Sequence, residues 1–467
     1  MINSMKNSIR RFFGGKRIQP VKSVKRTKSM AALTQRSGFD VDLQPEFRVL
    51  ITSGLGYGNV GDEAQAAASV GRWKELLPEC SVLLLSPNPE YTRKTHKVKS
   101  SWSSRVLWFS SNNSKTYWQS KGRFKFLFAR MWFRQTLSAR FLRAGWPISF
   151  ATAEEMTLLK QIRDTSVLHI SGGGFLTGMT SSRLWDFSLV MRLCQILDTP
   201  YLLTGQTIGV FKSPLDKWLA KKSLCKADVI YLRDQGISEN DLKGIGITGD
   251  HVKSTFDDAV FFESLADEEV KTVLIDNGID PERPYFIANY HYWGQDDEMK
   301  LKSSSRFAEL TKRLMEKSGC QVLFVPMTPT DVDAEKDVMA LMGNEGSLLD
   351  YKFDYQTARG VYRFASFVFT MKHHPIIFGY GEGIPVVSVA LDDYYYHKNK
   401  GAMANCGHQD YCLSNEVFFG EQAISTCDKF LAIRDELAFE VQQWVEAAKP
   451  IAMEPLERCL AINKFTS

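Results

Sequence analysis

A short β-type run, a glycine-bearing loop and a helix-type run recur along this chain, and that order limits the fold more than any other feature. "FRVLITSGLGYGNVGDEAQAAASVGRWKELLP" shows it first. The β-type run from Arg48 to Thr52 is broken by Gly54, Gly56, Gly58 and Gly61, and an alanine-rich helical pattern follows. "CSVLLLSPNP", "SVLHISGGGFLTG", "PYLLTGQTIGVF", "ADVIYLRD" and "GITGDHVKSTFDDAVFF" continue the rhythm. It restarts after "DEEVKTVLIDNGIDPERP", with "YFIANYHYW", "CQVLFVPMTPTD", "SFVFTMKHH" and "IPVVSVAL" read as strands. Alternation of this kind predicts parallel sheets with ligand loops at the carboxyl ends of the strands. A chain of 467 residues also exceeds one ordinary core. The expected organisation is a basic arm (1–45), a first α/β domain (46–265), a second (270–425) and a helical tail (426–467). The first domain carries a basic, aromatic insertion at 91–150.

Eight scattered cysteines without CxxC spacing suit reduced thiols in a cytoplasm rather than a disulfide framework or a zinc site. No apolar run is long enough to cross a bilayer. The net charge of +5 conceals an asymmetry. Residues 1–30 hold nine Lys or Arg and residues 91–153 hold thirteen, neither stretch with an acid, which leaves −17 on the remainder. Basic islands on an acidic body call for an anionic partner at those islands. In "KFLFARMWFRQTLSARFLRAGW" the apolar residues recur at helical spacing among Arg130, Arg134, Arg140 and Arg143, with Trp132 and Trp146. Such a helix suits the interface of an anionic membrane, and it equally suits a cover for its own domain with solvated arginines. No recognisable nucleic-acid module is present, so nucleic acid is not an expected partner.

Three stretches bear chemistry. "GLGYGNVGDEA" is neither a clean GxGxxG nor a P-loop. Its glycines and the helix start behind them fit an anion, and fit a tight turn capped by Asp62 and Glu63 equally well. "SGGGF", with Gly172, Gly173 and Gly174, permits close approach of a ligand or of a neighbouring strand. "TMKHHPIIFGYGEGIPVV" sets Lys372, His373 and His374 behind an apolar run. On an extended chain Lys372 and His374 share one side. A cation beside a group titrating near neutral pH is a minimal kit for phosphate handling with proton transfer, although strand-end histidines are more often satisfied by neighbouring carbonyls. No carboxylate or cysteine stands at metal-ligand spacing nearby.

These motifs, with "GQTIGVF", "IYLRDQGISENDLKGIGI", "STFDDAVFF", "LFVPMTPTDVD" and "YYYHKNKGAMANCG", run in an order that resembles the polysaccharide pyruvyl transferase family over about three quarters of the chain. The resemblance implies two Rossmann-like domains facing across a cleft, a GT-B-like α/β fold with parallel sheets and C-terminal helices. It implies transfer of the pyruvyl group of phosphoenolpyruvate to sugar hydroxyls of a cell-surface polysaccharide or its lipid-linked precursor, with a pyruvate ketal and phosphate as products. No metal or organic cofactor is implied, and the location is cytoplasmic or peripheral on the inner membrane face. The family's Ser-x-Arg-x-His pattern falls on Thr370, Lys372 and His374. His374 is thereby the proton handler, and Arg233, Lys372, His373 and Lys398 are donor-site residues, with Lys400 a close competitor for Lys398. Lysine where the pattern has arginine keeps a point charge but loses the planar fork. Asn59, Gly61, Asp62, the three glycines and Gln206 are loop or acceptor-side candidates. A nucleotide-sugar glycosyltransferase or a non-catalytic assembly protein are the alternatives on the same frame.

Overall fold

The computed structural model describes residues 47–104, 121–292 and 294–464. The predicted arm, 1–45, and part of the basic insertion lie outside them. Two wholly parallel sheets organise the rest. The first comprises β1 (Arg48–Thr52), β2 (Ser81–Ser86), β3 (Lys99–Trp102), β4 (Val167–Ile170), β5 (Gly173–Thr177), β6 (Tyr201–Gly209), β7 (Val229–Leu232) and β8 (Val252–Ser254). Their order is β3-β2-β1-β4-β6-β7-β8, with β5 also paired to β6. The second comprises β9 (Tyr285–Asn289), β10 (Gln321–Phe324), β11 (Ser347–Leu348), β12 (Val368–Thr370), β13 (Val386–Ala390) and β14 (Cys412–Ser414), ordered β11-β10-β9-β12-β13-β14. The central strands are buried along their length, which is why they read as continuous apolar runs rather than alternating ones.

Each sheet reverses its strand order once, between β1 and β4 and between β9 and β12. A crevice opens at such a switch point, outside the carboxyl ends of the strands. The two predicted glycine loops follow β1 and β4, and "MKHH" follows β12. The fold therefore aims all three chemistry-bearing stretches at crevices.

The helices that matter below are α1 (Val60–Leu76), α2 (Lys121–Arg143), α3 (Ser181–Leu197), α4 (Pro214–Leu224), α5 (His373–Gly381), α6 (Asp393–Met403) and α7 (Glu454–Ile462). α1 serves both domains. Ala66 and Trp73 belong to the first domain's core, whereas Val60 and Ala64 pack into the second's, and the Val60 N–H bonds to the Met327 carbonyl at 3.1 Å. The helical tail does not end on the second domain. α7 returns to the first, where Leu456, Cys459 and Leu460 join the core beneath β1 and β7, and Tyr231 donates to Glu454 at 2.7 Å. The linker between the sheets is held from both sides. Arg72 bonds Asp258 Oδ1 and the Asp258 carbonyl, both at 2.7 Å, and Arg359 bonds the Val260 carbonyl at 2.6 Å.

Candidate active site

The strand expected over "SFVFTMKHH" stops at Thr370. Thr370 Oγ1 accepts the Lys372 N–H at 2.9 Å, which turns the chain, and His373 and His374 open α5. Pro375 suits a first helical turn, where its missing N–H costs nothing. Lys372 and His374 thus do not share one side of an extended chain. Lys372 turns into its own domain, where its ammonium bonds Asp331 at 2.5 and 2.7 Å and Thr328 at 3.2 Å. Asp331 is itself fixed by the N–H groups of Met327 and Thr328, each at 2.9 Å.

His373 and His374 point the other way, toward the first domain. Arg233, just past β7, is buried there; it donates to Thr207 Oγ1 at 2.8 Å and to Asp257 Oδ2 at 2.6 Å. Asp257 also accepts both Gln65 contacts, at 2.8 and 2.9 Å, and the Ala259 N–H. His373 Nε2 lies 3.5 Å from the same carboxylate without a formed hydrogen bond. Burial pushes the Asp257 carboxyl up, but Arg233 and the histidines hold it well below the usual carboxylate range. Burial, then Arg233, pushes His373 well below the ordinary imidazole value, and burial lowers His374 to about 4 against the pull of Asp257 and Asp62. Both rings are neutral at pH 7.

The domains meet closely here. A Cβ on Gly61 would fall 2.0 Å from the His374 ring, so only glycine allows α1 to approach. A Cβ on Gly174 would stand 2.5 Å from the Tyr394 hydroxyl and 3.0 Å from Arg233 Nη2, and that hydroxyl donates to the Gly174 carbonyl at 3.2 Å. Lys398 projects from α6 into the same space. Its ammonium lies 5.8 Å from the Tyr394 and Tyr395 ring centres and forms no hydrogen bond or ion pair among the described residues. Burial, then Arg233, lowers it to about 7, with Asp62 and Asp257 opposing. Lys400, two positions on, faces away and donates to Tyr396 at 3.1 Å.

Among the described residues, several nitrogens at this meeting point lack hydrogen-bond partners: Arg233 Nη2, both ring nitrogens of His373 and Nε2 of His374. Buried polar groups are ordinarily satisfied, and the exceptions cluster where a ligand completes them. Asp62, half-buried on α1, faces the same cluster and has no hydrogen-bond partner among the described residues.

The other candidates divide. Asn59 caps α1, accepting the Gly61 N–H at 3.1 Å, and Glu63 accepts the Gly56 N–H at 2.8 Å while bonding His96 at 2.9 Å. The first glycine loop is therefore a tight turn in which Asn59, not the expected Asp62, caps the helix and Glu63 ties the loop, and Gly56 and Gly58 adopt the positive φ it needs. Gly172 donates to Asp258 at 2.8 Å and packs on Gln65, Gly173 takes φ +140°, and Gly174 alone of the three faces the cluster. Gln206 commits its amide to the carbonyls of Ile170 and Thr204, leaving Oε1 buried without a partner. Sequence reasoning missed Asp257, Gln65 and Tyr394. The adjacent acids of "STFDDAVFF" were the available signal, since two consecutive carboxylates before an apolar run need cations to be buried. Among the described residues no group of three His, Cys, Asp or Glu could hold a metal ion.

A family model for polysaccharide pyruvyl transferase matches residues 59–393. No curated protein matches the sequence. Among solved structures, a glycosyltransferase from Rickettsia africae is 12% identical with a TM-score of 0.51, over 90% of this chain and 99% of that one. A UDP-GlcNAc 2-epimerase from Neisseria meningitidis, bound to UDP-GlcNAc, is 10% identical with a TM-score of 0.53, over 88% of this chain and all of its own. These likenesses establish the fold: two Rossmann-like domains in the GT-B-like arrangement.

Proposed function

Because this chain belongs to the polysaccharide pyruvyl transferase family, we propose that it moves the pyruvyl group of phosphoenolpyruvate onto two hydroxyls of a polysaccharide or its lipid-linked precursor, and that the cluster around Arg233, His373, His374 and Lys398 is where it does so. The carrying observation is that both domains present unpartnered nitrogens to one small volume: Arg233 Nη2 from the first, the imidazoles and the Lys398 ammonium from the second. Phosphoenolpyruvate has three anionic charges to neutralise, and donors already desolvated and held in place bind such a ligand without reorganising.

In this reading His374 delivers a proton to the methylene carbon of phosphoenolpyruvate, leaving oxocarbenium character at the central carbon. A sugar hydroxyl attacks that carbon and returns a proton to His374. Phosphate departs with the bridging oxygen and the C–O electron pair. A second hydroxyl then attacks the re-formed oxocarbenium carbon and gives its proton to the departing phosphate, closing the ketal. Neutral at pH 7 here, His374 gains its proton as the anion arrives, because a negative charge beside an imidazole raises its pKa. Arg233 and Lys398 divide phosphate and carboxylate between them. Lys372, paired to Asp331, positions the start of α5 rather than touching the donor. Asp62, across the cleft on α1, orients an acceptor hydroxyl. Phosphoenolpyruvate as donor supports a cytoplasmic site of action.

The test is to incubate the protein with phosphoenolpyruvate and candidate acceptor glycans, following phosphate release and acceptor mass together. Stoichiometric phosphate and pyruvylated glycan are expected. UDP or GDP released from a nucleotide sugar, with phosphoenolpyruvate untouched, would replace this reading with glycosyl transfer.

A further inference from the structure

Helix α2 packs an apolar face on the first domain and still keeps phenyl rings on its outer face. Its inward face holds Gln135, Thr136 and Ser138 beside Phe128, Met131 and Ala139, and the Gln135 amide is buried without a partner among the described residues. Its outward face carries Phe126, 70% exposed, and Phe133, 44% exposed, in one stripe with Arg130 and Arg140. Trp146, 56% exposed, follows just beyond the helix and packs edge-on against Phe141 at 5.1 Å. Thr136 and Ser138 satisfy their hydroxyls on the helix's own carbonyls, so it is the unpartnered Gln135 amide and the exposed phenyl rings that are unfavourable for an isolated domain.

The charge around this face is one-sided. Arg130 and Arg140 have no hydrogen bond or ion pair among the described residues, and most nearby acids are engaged, exposed Glu154 beside Glu155 being the exception without an ion pair among the described residues. Glu155 pairs with Arg134, Asp198 with Arg143, and the buried Asp216 accepts from Trp185 and from Ser181. Arg140, Arg143 and Arg192 line a groove of about 470 Å³ where α2 meets α3. On the other side of α3, α4 exposes Trp218 and Leu215 among Lys217, Lys221 and Lys222.

We propose that this face seats the protein on an anionic lipid surface, with Phe126, Phe133 and Trp146 at the level of the acyl boundary and the arginine groove on lipid phosphates. Exposed aromatics among an excess of cations match an interface that is apolar below and anionic above. No helix among the described residues is long and apolar enough to cross a membrane, so the contact is peripheral. The inference does not rest on the donor chemistry proposed above.

The full-length protein is sedimented with phosphatidylcholine vesicles, with and without phosphatidylglycerol, at low and high salt. Two double variants accompany it, Phe126→Ser with Phe133→Ser and Arg130→Gln with Arg140→Gln. Wild type should bind only the anionic vesicles and release at high salt, and each variant should partition about tenfold more weakly, with circular dichroism and turnover on a soluble acceptor unchanged. Absence of vesicle binding overturns the proposal. So does full binding by both variants, which would place the attraction elsewhere, such as the nine basic residues of 1–30. Preferential retention of wild type on duplex DNA overturns it as well.

Discussion

Lys398 and Lys400 stand two residues apart on α6, and a helix turns such neighbours to different faces. Lys400 finds the Tyr396 hydroxyl, whereas Lys398 is left in a desolvated cleft beside Arg233, which brings its pKa to about 7. Lys398 is cationic below that value and neutral above it. Since kcat/KM reports the free enzyme, kcat/KM for the donor should fall as pH rises through about 7, and Lys398→Met should abolish that limb. The same variant should raise Tm, because the native fold no longer strips water from an ammonium that the unfolded chain keeps hydrated; an unchanged pH profile would remove Lys398 from the site. His374→Ala should lower kcat by a hundredfold or more, within the roughly 10²–10⁴-fold range of general acids, and circular dichroism should show the fold retained. Which of two nearby lysines enters a cleft is set by helix phase. Read as the end of a strand, "MKHH" gives no sign that both histidines leave on a helix toward the first domain while Lys372 turns back to Asp331.

α1 shows at the scale of an element what sequence could and could not carry. That it starts as a capped helix behind the glycines was legible, but the cap is Asn59, not the expected Asp62 and Glu63, because only its side chain reaches back to the Gly61 N–H. Its second role was not, because nothing local says that Val60 and Ala64 will be buried by a domain more than 200 residues away. Gly61 is the visible cost of that role. Gly61→Ala should clash with the His374 ring, destabilise by roughly 1–3 kcal/mol as overpacked contacts do, and depress turnover further than the loss of stability accounts for. Chemical denaturation beside steady-state assays separates the two. The triglycine after β4 divides likewise: close approach was predictable, but only the fold reveals that Gly172 yields to Gln65 and Gly174 to Tyr394 and Arg233.

Across the whole molecule, the strand–loop–helix rhythm revealed both parallel sheets and their division, since buried parallel strands announce themselves as apolar runs. It did not reveal the return of α7 to the first domain or the clamps on the linker, which depend on contacts distant in sequence. Arg72→Ala should cost about 3–5 kcal/mol by stranding the buried Asp258, measurable by urea denaturation. Acid should also weaken the fold. Burial, its leading cause in each, lowers His169 and His374 to about 4 and His291 to about 3, below the 6.5 of an exposed imidazole. The unfolded chain therefore binds their protons first, so stability should decline as pH falls from 6.5 through about 4. Tm across that window checks the sign. Calorimetric titration of phosphoenolpyruvate into wild type and Lys398→Met, each repeated with excess UDP, decides whether the cleft cluster receives that compound. The account predicts saturable binding to wild type, at least about tenfold weaker binding to the variant for the loss of one charge-assisted contact, and indifference to UDP. Equal affinity in both proteins, or displacement by UDP, would contradict it.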